Sequence, residues 1–130
     1  LSLKKLGVSK IFLSNRTKKK AEEIKEIFND LEILDWGNVP NFDIIINTTS
    51  LGLNANDEIN LDYEKIGSNK LFYDVIYNPK QTKFLKKGKQ FGNKTENGKM
   101  MFIYQAHQAF TLWHKIMPTI DDETIKILDI

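Results

Sequence analysis

Asn15-Arg16-Thr17 stands between an apolar run, Ile11-Phe12-Leu13, and a helical pattern that opens with Lys18, Lys19 and Lys20. Amide, guanidinium, hydroxyl and ammonium groups in consecutive positions form a donor set suited to a compact anion such as phosphate. The lysines run against the local field, because a helix N-terminus favours acids by about 0.3–1 kcal/mol per charge. A bound phosphate would offset that conflict. The plainer alternative is that Thr17 caps the helix and the lysines cover a solvated face. Arg16 is the one arginine among nineteen cations, so the single planar fork in the chain falls at this position.

A second polar group follows another apolar run. Asn47-Thr48-Thr49-Ser50 succeeds Ile44-Ile45-Ile46, and small amide and hydroxyl groups at a strand end let a flat ring approach the backbone. They also suit an ordinary polar turn. Tyr77-Asn78-Pro79 ends a third apolar run. Gln105 shares a helical row with Met101, Ala109 and Leu112, a face expected to be buried, so it needs a backbone partner or points into a ligand cleft. His107 and His114 have no carboxylate or thiolate at ligand spacing, so no metal site is expected, and they read as surface or satisfied core residues. No Ser-His-Asp order, paired-carboxylate motif, Walker-type loop or G-x-G-x-x-G is present.

The elements that must hold these groups follow from periodicity. "VSKIFLSN", "LEILDW", "FDIIIN" and "KLFYDVIY" read as strands, with Ile44 to Ile46 a continuous core strand. "TKKKAEEIKEIFND" reads as a helix with Ala21, Ile24, Ile27 and Phe28 on one face, and "KQTKFLKKGKQFG" as a shorter one closed at Gly88. "NANDEINLDYEKIGSN" is a surface connection with one helical turn around Tyr63 to Ile66, and "NKTENGKM" is a turn from which Gly98 opens the longest helix. "IDDETIKILDI" forms a closing helix with acids in its first turn. "LSLKKLG" reads as the end of a helix whose start lies before Leu1. Strands alternating with helices give an α/β, doubly wound, mostly parallel sheet, whose ligands sit beyond the carboxyl ends of the strands.

At 130 residues, with 41% hydrophobic and 28% charged, the chain suits one domain over residues 1–130. Without cysteine there is no disulfide framework, thiolate metal site or cysteine nucleophile, and a cytoplasmic setting is the simplest expectation. No apolar run reaches the roughly 18 residues of a membrane span. Residues 1–20 carry seven basic side chains and no acid, so the net charge of +2 leaves −5 on the remainder. A local basic patch on an otherwise acidic chain fits a nucleotide phosphate better than a nucleic-acid track.

Taken together and in order, "NRTKKKAEEI", "DIIINTTSLGL", "YDVIYNPKQTKFLKKGKQFG", "NGKMMFIYQAHQAFTLWH" and "IMPTID" resemble the C-terminal half of bacterial shikimate dehydrogenases. The resemblance implies a partial NADP-binding Rossmann-like domain, including helices over 98–130, that lacks the first strand, the glycine-rich pyrophosphate loop and the N-terminal substrate domain. Leu1 would fall in the helix after that loop. It implies NADP as cofactor, shikimate or 3-dehydroshikimate as substrate, and a place in aromatic amino acid (chorismate) biosynthesis. By resemblance Asn15, Arg16 and Thr17 grip the 2′-phosphate with Lys20 nearby. Asn47, Thr49 and Ser50 line the cofactor; Val75 and Gly98 adjoin the nicotinamide; Tyr77 and Gln105 face the substrate. The catalytic pair is expected in the absent domain, so the isolated chain is expected to be inactive, a cut piece or one half of a split enzyme. Two alternatives stand beside this: an NAD-preferring quinate/shikimate dehydrogenase, and a non-catalytic binding or assembly module that associates, as a homo-oligomer or with a second chain, through apolar surface left uncovered.

Overall fold

The structure, a computed structural model, describes residues 2–127. They divide into two compact units, one running to Asn41 and taking in Asn60–Asp62, the other holding Phe42–Ile59 and the chain from Tyr63 onward.

In the first unit, α1 (Ser2–Lys5) is the helical turn expected at the start, and Gly7 ends it with φ +80°. β1 (Ile11–Ser14) runs parallel to β2 (Leu31–Leu34), with Ile11 opposite Leu31 and Ser14 opposite Leu34. A parallel pair needs a crossover, and α2 (Lys18–Ile27) supplies it. Ala21 and Leu31 are buried. Ile24 and Ile27, expected on the same packed face as Ala21, are exposed, because a two-stranded sheet is too narrow to cover the whole apolar stripe of a ten-residue helix.

The second unit is built on β3 (Ile44–Asn47), β4 (Leu71–Asp74) and β5 (Lys94–Glu96), all parallel in the order β3-β4-β5. Ile45 lies opposite Phe72 and Asn47 opposite Asp74. Successive side chains point to opposite faces, and along β4 burial alternates, with Phe72 and Asp74 fully enclosed. α4 (Lys83–Gln90) packs on the Phe72 side, where the Phe84 ring lies 5.0 Å from that of Phe72. A Cβ at Gly88 would come within 2.7 Å of the Phe72 ring, so this glycine sits inside the helix for close packing. The helix ends instead near Gly92, at φ +77°, which corrects the expectation that Gly88 closes it. β5 is likewise a strand where the sequence suggests only a turn; its polar residues bond to the backbone of β4's edge, as Lys94 N–H donating to Lys70 O shows. The turn α3 (Tyr63–Ile66) lies where expected.

Ile44 and Ile46 are not core residues. They are 49% and 39% exposed on the face opposite Phe72, whereas Asn47 at the end of the same strand is buried. α5 (Lys99–His114) starts after Gly98 as expected but buries only Ile103 among its residues. The Met101, Gln105, Ala109, Leu112 row is not the buried face: Gln105 and Leu112 are exposed, and Trp113 is 79% exposed. Apolar residues occur all round this helix, so their spacing does not select one face. α6 (Asp122–Ile127) starts beside Asp121, whose carboxylate accepts from the Thr124 N–H and hydroxyl. The last residues of the expected closing helix, 128–130, and the Leu1 position lie outside the described residues.

The single sheet expected from the sequence is thus two parallel blocks. One block has two strands and the other three, and every pairing within them is parallel.

Candidate functional site

In the first unit the candidate residues follow β1. Asn15 Oδ1 accepts the Thr17 N–H at 3.0 Å, a local bond that bends the chain out of the strand and into α2. Thr17 occupies the N-cap position with extended backbone, yet its hydroxyl makes no capping bond. The simple capping role is therefore not what engages this side chain. Lys18 is taken up: its Nζ donates to Asp35 Oδ1 at 2.8 Å, across from the end of β2. That bond, and then each partner's opposite charge, push the Lys18 ammonium up and hold the Asp35 carboxyl below its usual value. Arg16, Lys19 and Lys20 are exposed and make no side-chain hydrogen bond or ion pair with any described residue. Of the four cations at this helix start, three keep their donors available.

The second unit presents the opposite arrangement. Asn47 Nδ2 donates to Leu51 O and to Asp74 Oδ1, both at 3.0 Å. Its Oδ1 accepts the Thr49 N–H at 3.0 Å and the Thr49 hydroxyl at 2.8 Å, and that hydroxyl accepts the Leu51 N–H. Asn47 and Thr49 are consumed inside the turn, which leaves Thr48 and Ser50 as its exposed hydroxyls. Gly52 closes the turn at φ +124°, with a Cβ there falling 2.8 Å from Thr82. The chain beyond it is held by Asp57, whose carboxylate accepts from the N–H groups of Asn54 and Gly52; those bonds hold it below the usual carboxylate range.

Beyond β4, Val75 N–H donates to Asn47 O, and Gly98 N–H donates to Ile76 O at 3.2 Å. A Cβ on Gly98 would lie 1.9 Å from Val75 O, so only glycine admits this approach of α5 to the strand end. Val75 and Gly98, paired by the resemblance, are in contact. The Tyr77 ring stacks on Phe102 of α5, with centroids 4.7 Å apart. Gln105 is exposed on the same helix and makes no side-chain hydrogen bond with a described residue, so the burial from which its two expected fates followed is not observed. His107 Nε2 lies 2.8 Å from Pro118 O while its Nδ1 is buried without a partner among the described residues, and the His114 ring lies tilted against Phe110 with centroids 4.4 Å apart. No cluster of three metal-ligating groups occurs among the described residues.

Asp74 and Thr82 escaped the sequence reading. Both are buried, and Thr82 Oγ1 donates to Asp74 Oδ2 at 2.7 Å while accepting the Leu85 N–H at the start of α4. An acid in phase with Phe72 on a strand, followed eight residues later by a capping threonine, was the available signal.

Parallel strands with crossover helices, and polar groups gathered at the carboxyl ends, define an α/β domain of the Rossmann-like class. Along its whole length the chain is homologous to about half of a shikimate dehydrogenase (NADP+). The protein of that name from Pelagibacter ubique (strain HTCC1062) is 57% identical over 130 residues, which is 100% of this chain and 49% of the relative. A crystal structure of shikimate dehydrogenase in complex with NADP+ superposes with TM-score 0.76 at 33% identity, covering 92% of this chain and 44% of that one. The ligand-free 5-ketofructose reductase of Gluconobacter sp. strain CHM43 superposes with TM-score 0.79 at 30% identity, covering 94% and 47%. The chain spans about half the length of the curated relatives it matches. No family model matches it.

Proposed function

We propose that this chain is the cofactor-binding half of an NADP-dependent shikimate dehydrogenase, which interconverts 3-dehydroshikimate and shikimate in aromatic amino acid biosynthesis in the cytoplasm. The observation that carries this is the 57% identity, sustained over every residue of the chain, with a relative of that name. When bound, NADPH would supply the hydride for reduction of the ketone, and NADP+ would accept it in the reverse oxidation. The chain's own residues bind and orient it. Arg16, with its fork unengaged, pairs with the 2′-phosphate; Asn15, Thr17 and Lys20 add donors around it. Thr49 and Asn47 shape the turn that presents Ser50 to the nicotinamide side, and Val75 with Gly98 forms a bare backbone surface against which a flat ring can lie. Tyr77 and Gln105 orient the substrate hydroxyls.

No group in the chain is assigned to proton transfer, so chemistry requires a substrate-binding half that aligns the reacting carbon. The choice of carbonyl substrate belongs to that half as well, since a domain of this kind also occurs in a 5-ketofructose reductase. The exposed apolar residues of α5, Tyr104, Leu112 and Trp113 among them, suit a contact with it.

The test is to mix the chain with the separately produced N-terminal half of the Pelagibacter relative and assay shikimate oxidation with NADP+ and with NAD+. Activity in the mixture, absent from the chain alone and favouring NADP+, is expected. Equal or better use of NAD+ would overturn the role of Arg16. Activity of the chain by itself would overturn the division of labour.

A further inference from the structure

We propose that Asp74, with Thr82 behind it, is a positioning residue that sets the orientation of the Asn47 amide and so the shape of the ligand-facing turn. The proposal rests on the reading of this turn as the nicotinamide-side surface. Asp74 is 0% exposed at the end of β4. Its carboxylate accepts three hydrogen bonds: from Asn47 Nδ2 at 3.0 Å and Ile76 N–H at 3.1 Å on one oxygen, and from Thr82 Oγ1 at 2.7 Å on the other.

An amide side chain can be turned over with little change in shape, and its neighbours decide which end is which. Here the decision is unambiguous. One end of Asn47 faces only acceptors, Asp74 Oδ1 and Leu51 O, so it must be the NH2 group. The carbonyl end is thereby turned to the Thr49 N–H and hydroxyl, and Thr49 is left with a lone pair for Leu51 N–H. Asp74 Oδ1 acts with two fixed backbone groups, Leu51 O and Thr49 N–H, to set the donor and acceptor order along Asn47, Thr49 and Leu51. The same oxygen holds Ile76 N–H, and Ile76 O in turn accepts from Gly98. Thus the Thr49–Leu51 turn and the Val75–Gly98 contact, the two cofactor-facing features of this unit, are referred to a single buried group.

Sheet packing does not ask for an acid here. An apolar residue in phase with Phe72 would serve, and a buried carboxylate carries a desolvation cost that only its hydrogen bonds offset.

The experiment is amide exchange and amide-shift titration by NMR on the full chain, for wild type, Asp74→Ala and Asp74→Asn, with NADP+ and with adenosine 2′,5′-bisphosphate. The second ligand carries the 2′-phosphate without the nicotinamide. In Asp74→Ala, Thr49 and Leu51 amide exchange should quicken and NADP+ should bind about tenfold to a hundredfold more weakly, as expected for buried donors left unsatisfied. Asp74→Asn keeps the shape and one acceptor oxygen but loses the charge, so an intermediate fall of about threefold to tenfold is expected. Binding of the bisphosphate should not change in either variant, which a general loss of fold would not allow. Should Asp74→Ala fail to fold, the isosteric Asp74→Asn decides alone. A folded Asp74→Asn with wild-type exchange at Thr49 and Leu51 overturns the proposal, as does an equal loss for both ligands. If wild type binds neither ligand, the cofactor reading fails, and the exchange rates still decide the positioning role.

Discussion

The two strand-end regions are built with different physics, and under the proposed function they meet different recognition problems. Around Asn15-Arg16-Thr17 one local hydrogen bond shapes the backbone, and three cations stand exposed with no hydrogen-bond or ion-pair partner among the described residues. Around Asn47 and Asp74 nearly every polar atom is matched, the glycines are fixed by close contacts, and little is left over for a ligand except backbone and two hydroxyls. A phosphate is recognised by charge and donors that can adapt on arrival, so the first region gains by leaving side chains unengaged. A flat, weakly polar ring offers no such pull. Its site must be held in place beforehand, because binding would otherwise have to order it. Stability and ligand affinity should therefore respond in opposite proportion to substitutions in the two units.

The sharpest way to break this comparison is Gly98→Ala. One methyl group would have to fit 1.9 Å from Val75 O, backbone against backbone, so α5 must move from the strand end. Destabilisation of about 3 kcal/mol is expected from overpacking of this kind, read as a lower denaturant midpoint, with loss of nicotinamide-side binding. A midpoint within error of wild type would show that the second unit is not rigid.

Tyr63 tests the same rigidity at alkaline pH. Its hydroxyl donates to Ile59 O under the stacked rings of Phe72 and Phe91, and burial, followed by the charge of Glu58, pushes its pKa up to about 12. The unfolded chain loses this proton near the ordinary tyrosine value of about 10. A raised folded value means that the contribution is complete below about pH 10 and is lost as pH rises from there toward 12. By linkage the loss amounts to about 2–3 kcal/mol. Absorbance titration should show Tyr63 losing its proton with the late fraction of the four tyrosines, and Tyr63→Phe should reduce that late fraction.

In the first unit the expectation reverses. Arg16→Ala should leave the unfolding midpoint unchanged, since the guanidinium makes no hydrogen bond or ion pair with a described residue, and should weaken NADP+ binding about tenfold to a hundredfold while leaving NAD+ nearly unaffected. Chain melting followed by circular dichroism, beside binding of the two cofactors, separates these readouts. A matching loss for NAD+ would place Arg16 elsewhere than at the 2′-phosphate.

What was legible in the sequence divides along the same line. Local charge is visible directly, so Arg16 and the lysine run announce themselves, and the β1-α2-β2 succession follows from periodicity. The second unit was harder because its logic is long-range. Asp74 reads as an acid ending a strand until its register opposite Asn47 is known, 27 residues earlier in the chain. β5 has no apolar alternation to betray it, with Lys94 and Glu96 exposed, and exists because β4 offers a free edge. Gly88 resembles a helix terminator until the Phe72 ring beneath it is placed. The exposed Ile44 and Ile46 and the apolar circumference of α5 show the limit from the other side: hydrophobic runs say that residues require cover, without saying which element provides it.

The smallest expected effect isolates Lys18 from its neighbours. Sequence gives Lys18, Lys19 and Lys20 equal standing, yet Lys18 is held by Asp35 while the other two are not. Both members of the pair are exposed, so the bridge should matter little for folding and less in high salt. Its contribution is present above the ordinary carboxylate value of 3.8 and is lost as pH falls through the lowered folded value of Asp35. Lys18→Ala should leave the midpoint at neutral pH unchanged and, by baring the Asp35 carboxylate, lower NADP+ affinity by about twofold at low ionic strength. Asp35→Asn tests the idea in the other direction: releasing the Lys18 ammonium adds a mobile cation near the phosphate grip, and NADP+ affinity should rise by about twofold at low ionic strength, with the gain vanishing in high salt. If Asp35→Asn instead weakened binding, Asp35 would be holding the α2 start in its binding geometry, and the contrast between an adaptable first unit and a prearranged second one would have to be redrawn.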